Sequence, residues 1–127
     1  MSLDKVFFGF FVLFAATLNF GFFIGDVSNP DLHSPIELYA ALIVSLAATI
    51  IKLGDRTQIG AVHLATSLVA DIQLIAAAIV HAWANTADHE MTAGLTSTVV
   101  SLSGGALFAN VISVVLLVIE TSTFRRR

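Results

Sequence analysis

Cysteine is absent from the 127 residues, which excludes disulfide frameworks, thiolate metal sites and thiol catalysis. Charge is scarce as well: Asp, Glu, Lys and Arg make up 12% of the chain, against about 25% in soluble domains. Six basic residues are too few to build a nucleic-acid surface. The sequence holds no nucleophile elbow, P-loop, dinucleotide-binding glycine pattern or HExxH pair. These absences lead us to expect a non-enzyme with no cofactor, no metal and no nucleic-acid partner.

What fills the chain is hydrocarbon. Hydrophobic residues make up 57% of it, and the mean hydropathy is +0.90. Apolar segments cover about 6–24, 36–53, 59–83 and 95–119. Each is near the ~20 residues a helix needs to cross ~30 Å of hydrocarbon. The connections between them are short, which favours antiparallel neighbours. The expected fold is all-α: one domain over residues 1–127, a polytopic membrane protein with four transmembrane helices in an up-down bundle. The first apolar run exceeds the core of a signal peptide and no small-x-small site follows it, so a retained first helix is expected.

The sparse charges fix an orientation. Lys5, Lys52, Arg56, Arg125, Arg126 and Arg127 fall at the two ends and in the second connection. Four spans bring those regions to one side, which the positive-inside rule makes cytoplasmic. The expectation is an inner-membrane protein with both termini inside. The other two connections hold Asp26, Asp31, His33, Glu37, Asp88, His89 and Glu90. Their spacing matches no metal motif, and the acids could concentrate cations by electrostatic steering.

Local chemistry explains several polar residues at helix ends. Ser34-Pro35-Ile36-Glu37 matches a capping box with Pro at the first helical position. Asn29-Pro30-Asp31 reads as a turn. Gly54 followed by Asp55-Arg56-Thr57-Gln58 fits a helix stop and a capped restart.

The third span carries the strongest signal. Asp71 lies near its middle, and no basic residue lies within the apolar stretch. A carboxylate at that depth costs about 2.5 to 3.5 kcal/mol on insertion scales. On a helical wheel, His63, Thr66, Ser67, Asp71, Leu74 and His81 fall on one side, with Gln73 at its edge. Leu68, Ile72, Ile75, Ile79 and Trp83 occupy the other. His63 and His81 are 18 residues apart, or ~27 Å along the helix, so neither reaches Asp71 within its own helix. One reading makes the stripe an ion or proton pathway tuned by the two His residues. The other turns it toward hydroxyls of neighbouring helices.

In the fourth span, Ser97, Ser101, Gly105 and Ala109 form a small-residue ridge at four-residue spacing. Ser103, Ala106, Asn110 and Ser113 lie on roughly the opposite side. This helix is therefore expected to pack both within its protomer and against a neighbour. Gly104-Gly105 permits a kink. Asn110 is level with the His63–Ser67 half of the third span, within hydrogen-bonding prospect of it. The first span is rich in Phe, which fits a lipid-facing helix, and its Asn19 is expected to bond a neighbouring helix. In the second span, Tyr39 marks the outer boundary, and Ser45 and Thr49 add modest polarity.

A lone four-helix bundle fills its interior with its own side chains. The leading functional expectation is therefore a small homo-oligomeric channel, or channel-like conductor, for cations, with Asp71 as its key group. The runner-up is a proton-coupled transporter of a small solute, with Asp71 carrying the proton. A non-transporting scaffold subunit of a larger complex is a third reading. The partners expected are membrane lipids, a small cation or proton, and further copies of the chain.

Overall fold

Backbone groups in hydrocarbon must pair within their own segment, and the four apolar runs do so as helices. In the computed structural model, which describes residues 3–24, 35–55, 57–86 and 92–125, α1 is Leu3–Phe23 and α2 is Pro35–Lys52. Next come α3, Gln58–Ala84, and α4, Ala93–Arg125. Each is long and apolar enough to cross a membrane, with window mean hydropathies from 1.6 to 2.3. The bounds differ from the sequence expectation by one to three residues, except at the C-terminal end of α4. There the helix continues past the apolar run through Glu120 to Arg125, because nothing in that polar tail breaks a helix.

Each helix packs chiefly on its neighbours in sequence order, and α4 closes onto α1. The Lys5–Glu120 ion pair at 2.9 Å ties the two terminal ends of the bundle together. The restart between α2 and α3 follows from local hydrogen bonding. Thr57 caps α3 by accepting the Gly60 amide at 3.0 Å. Asp55 accepts the Thr57 amide at 2.9 Å and its hydroxyl at 2.7 Å. The Asp55 carboxylate sits where a Cβ on Gly60 would be, so a larger residue there would displace that carboxylate.

The core separates into two clusters. Phe22, Leu38, Ala41, Ala70, Leu74, Ala77, Val99, Val100, Ala106 and Ala109 form the larger one. Phe8, Val12 and Ala48 form the smaller, toward the terminal end. Phe8 and Phe22 thus modify the expectation of a purely lipid-facing first helix: both are buried, while Phe7, Phe10, Phe14 and Phe20 face outward. The helix turns a stripe of Phe to each side, since its period carries one aromatic run around both faces. α4 runs unbroken through Gly104-Gly105. Those glycines are used for close approach: Gly104 receives the Phe23 ring and Gly105 the Gln73 amide.

Asn29, Pro30, Asp26, Asp31, His33, Ser34, Arg56, Asp88, His89, Glu90, Arg126 and Arg127 lie outside the described residues. So do the loop-acid and turn readings that depend on them, and the Ser34 half of the capping box. Glu37 itself places its carboxylate over Gly21 of α1, where a Cβ would be 1.9 Å from Oε2.

Candidate intramembrane proton site

The two faces of α3 separate as the wheel predicts. His63, Ser67, Ala70, Asp71, Leu74 and Ala77 are buried, whereas Leu68, Ile72, Ile75, Ile79 and Trp83 are exposed. The polar stripe therefore looks into the protomer. Asp71 is 4% exposed, and both of its oxygens are engaged by α2. Ser45 Oγ donates to Oδ1 at 2.6 Å, and Thr49 Oγ1 donates to Oδ2 at 2.5 Å. Ser45 and Thr49 are four residues apart, so they stand one above the other on the α2 face opposite Asp71.

Thr49 has a second option. Its Oγ1 also lies 3.0 Å from the Ser45 carbonyl, one turn back on α2. A hydroxyl has one proton to give and lone pairs to accept. With Asp71 ionised, Thr49 donates to the carboxylate. With Asp71 protonated, the carboxyl can donate to Thr49 Oγ1 while Thr49 turns its proton to the Ser45 carbonyl. The same heavy-atom positions thus satisfy either protonation state, without an opposite charge in contact.

The interior differs on the two sides of Asp71. Toward the terminal end lie Ser67, the hydrogen-bonded pair Thr66–Ser113, Asn110 and His63, all buried or half-buried. At that end His63 Nε2 is 3.6 Å from Glu120 Oε1, and the His63 ring meets Phe8 edge-on at 4.9 Å. Lys52, 3% exposed, sits between the Phe8 face, 4.5 Å away, and the Asp55 carboxylate, 3.1 Å away. Toward the opposite end Leu38, Ala41, Leu74 and Ala77 close the interior beside Asp71, and the polar groups beyond them pair locally. Ser103 donates to Asn19 at 3.2 Å, Thr96 bonds the Thr92 carbonyl, and Tyr39 meets His81.

The remaining expected site residues fall in different places. His81 is apart from the Asp71 site, half-buried, with its Nδ1 3.0 Å from the Tyr39 hydroxyl. Gln73 lies at the α3–α4 edge over Gly105 and beside Ser97 and Ser101, and its Oε1 has no hydrogen-bond partner. Asn19 does bond the neighbouring α4, as expected. The prospective bond from Asn110 to α3 is not made: its Nδ2 is unpartnered, because Ser113, one turn further on, reaches Thr66 instead. Outside the membrane-spanning segments, Asp55 is held at a pKa of about 2, below the ordinary 3.8. The Thr57 side-chain and backbone hydrogen bonds are the chief cause, with Lys52 adding to them.

Ser45, Thr49 and Glu120 are the participants that the sequence left in the background. The i, i+4 spacing of Ser45 and Thr49, two hydroxyls on one face of an otherwise apolar helix, was the available signal. Glu120 carried a weaker one, as an acid in the last turn of an apolar span.

A model described as a family of unknown function, DUF6394, matches residues 32–121. The chain belongs to that family. The match takes in α2 and α3 whole, with Ser45, Thr49 and Asp71, and reaches Glu120. No curated protein and no solved structure matches the chain.

Proposed function

We propose that this integral membrane protein handles protons, with Asp71 as the carrier in proton-coupled movement of a small solute. One observation carries the reading. The Ser45–Thr49–Asp71 arrangement accommodates an ionised or a neutral carboxyl by redirecting a single hydroxyl proton. The back-bond of Thr49 is ordinary for a Thr in a helix, as at Thr17, Thr96 and Thr98. Shared with a buried carboxyl, it supplies what a proton carrier needs, tolerance of both states inside a low-dielectric core. The polar interior on the terminal side gives the proton a direction of approach, and the positive-inside rule makes that side cytoplasmic.

The test is reconstitution in liposomes with a pH-sensitive dye trapped inside. Wild-type protein is expected to move protons under an imposed gradient, and faster with its solute present. Asp71→Asn keeps the shape and hydrogen-bonding capacity but cannot bind and release the proton, so movement should fall to the level of empty liposomes. Wild-type liposomes that move neither protons nor cations, with a stable partner recovered by pull-down, would turn the reading to a scaffold subunit.

A second reading, an oligomeric cation conductor, is favoured by the outward face of α4. Its half nearer the terminal end presents Phe108, Val111, Ile112, Val115, Val118 and Ile119 to lipid. The other half carries Gly94, Ser97, Thr98 and Ser101, with Gln73 of α3 beside them. Small and hydroxyl-bearing residues suit contact with another helix better than with lipid tails. Native mass spectrometry in detergent should then report a homo-oligomer, and a strict monomer would remove this reading.

A further inference from the structure

The terminal end of the bundle contains a second titratable cluster, separate from Asp71. His63 is fully buried, and neither of its ring nitrogens has a hydrogen-bond partner. An imidazole sequestered this way gives up its hydration on both sides without recompense. Its nearest acid is Glu120, whose Oε1 is also buried and unpartnered, 3.6 Å from Nε2. The other carboxylate oxygen, Oε2, is 2.9 Å from the Lys5 ammonium. Side-chain exposure rises in steps along this row: 0% at His63, 14% at Glu120 and 38% at Lys5.

We infer that Glu120 is the proton-exchange partner of His63, passing protons between the aqueous phase at the terminal end and the buried imidazole. The inference rests on the reading of this protein as a proton handler and names the group through which protons enter and leave the interior. In the exchange step the O–H bond of a protonated Glu120 breaks and an N–H bond forms at Nε2 of neutral His63. The products are a carboxylate and an imidazolium, and the reverse step restores the starting pair. A small closing motion bridges the 3.6 Å gap to hydrogen-bond distance. Lys5 is a positioning residue: it holds Oε2 and leaves Oε1 toward His63.

Every element packed around His63 brings a charged or aromatic group to this end of the bundle. α1 supplies Lys5 and the Phe8 ring, α2 supplies Lys52, the α2–α3 turn supplies Asp55, and α4 supplies Glu120. Lys52 and Asp55 are paired with each other. Among the described residues, Glu120 is therefore the acid placed to exchange with the ring.

The experiment is nitrogen-15 NMR of histidine-labelled full-length protein in lipid nanodiscs, with signals assigned through His33→Gln, His81→Gln and His89→Gln. Proton exchange at His63 should slow at least tenfold in Glu120→Gln, recover in part in Glu120→Asp, and persist in Lys5→Met. Unchanged exchange in Glu120→Gln overturns the inference. Loss in Lys5→Met equal to that in Glu120→Gln also overturns it, since the effect would then belong to the ion pair as a clamp. Recovery in Glu120→Asp separates an acid–base effect from misfolding, and no recovery with helical content intact counts against the relay. If exchange depends on Glu120 while wild-type liposomes move no protons, the pair stands and the Asp71 reading fails.

Discussion

Thr49 is the residue on which the Asp71 site turns, because its single hydroxyl proton serves two acceptors. Removing it in Thr49→Val leaves one carboxylate oxygen buried without a donor, while Ser45 still holds the other. The expected cost is about 1–3 kcal/mol, read as a lower thermal midpoint in detergent. Thr49→Ser keeps the hydroxyl and should recover most of that loss. The two variants together separate hydrogen bonding from packing, since Val keeps the volume and Ser keeps the chemistry. Lys52 is a contrasting case at the same scale: its charge is buried but remains paired, with Asp55 on one side and the Phe8 face on the other.

At the level of elements, the beginning of α3 depends on a charge. Asp55 receives the Thr57 amide and hydroxyl, and Thr57 in turn holds the Gly60 amide. The folded-state pKa of Asp55, about 2, lies below the ordinary 3.8. Its contribution is therefore full above about pH 4 and is lost as the pH falls toward 2. About 1 kcal/mol is at stake once solvent screening of this partly exposed group is allowed for. Acid unfolding followed by circular dichroism should show that loss in wild type, while Asp55→Asn should be less stable at neutral pH and flatter across this window. α4 illustrates a second element-scale rule. One helix presents a buried face with Ser103, Asn110 and Ser113 and an outward face that changes character halfway along its length.

At the scale of the whole molecule, the described lysines and their acid partners gather at one end of the bundle, while Glu37 stands at the other. Lys5, Lys52, Asp55 and Glu120 all lie at the end where the helical termini meet. Ser122 is exposed on the continuation of α4 and Thr86 is exposed at the opposite end. Because the chain has no cysteine, a single thiol at either position is a clean reporter. In intact cells an impermeant maleimide should label Thr86→Cys directly and Ser122→Cys only after permeabilisation. The reverse pattern would place the termini outside and invert the proton direction proposed for Asp71.

The sequence by itself determined the four spans, their approximate ends, the restart at Thr57 and the two faces of α3. Those features are legible because they depend on local quantities: transfer of apolar side chains into hydrocarbon, the helical period and hydrogen bonds across a few residues. What lies opposite Asp71 was decided only by the tertiary structure. Ser45 and Thr49 are 26 and 22 residues away in the chain, and no local rule sets the register in which α2 lies against α3. Glu120 comes beside His63 in the same way, when α4 closes the bundle. Apolar faces specify that helices pack, but the interlocking of particular side chains specifies at what height they meet. That height sets which polar groups become partners inside the membrane.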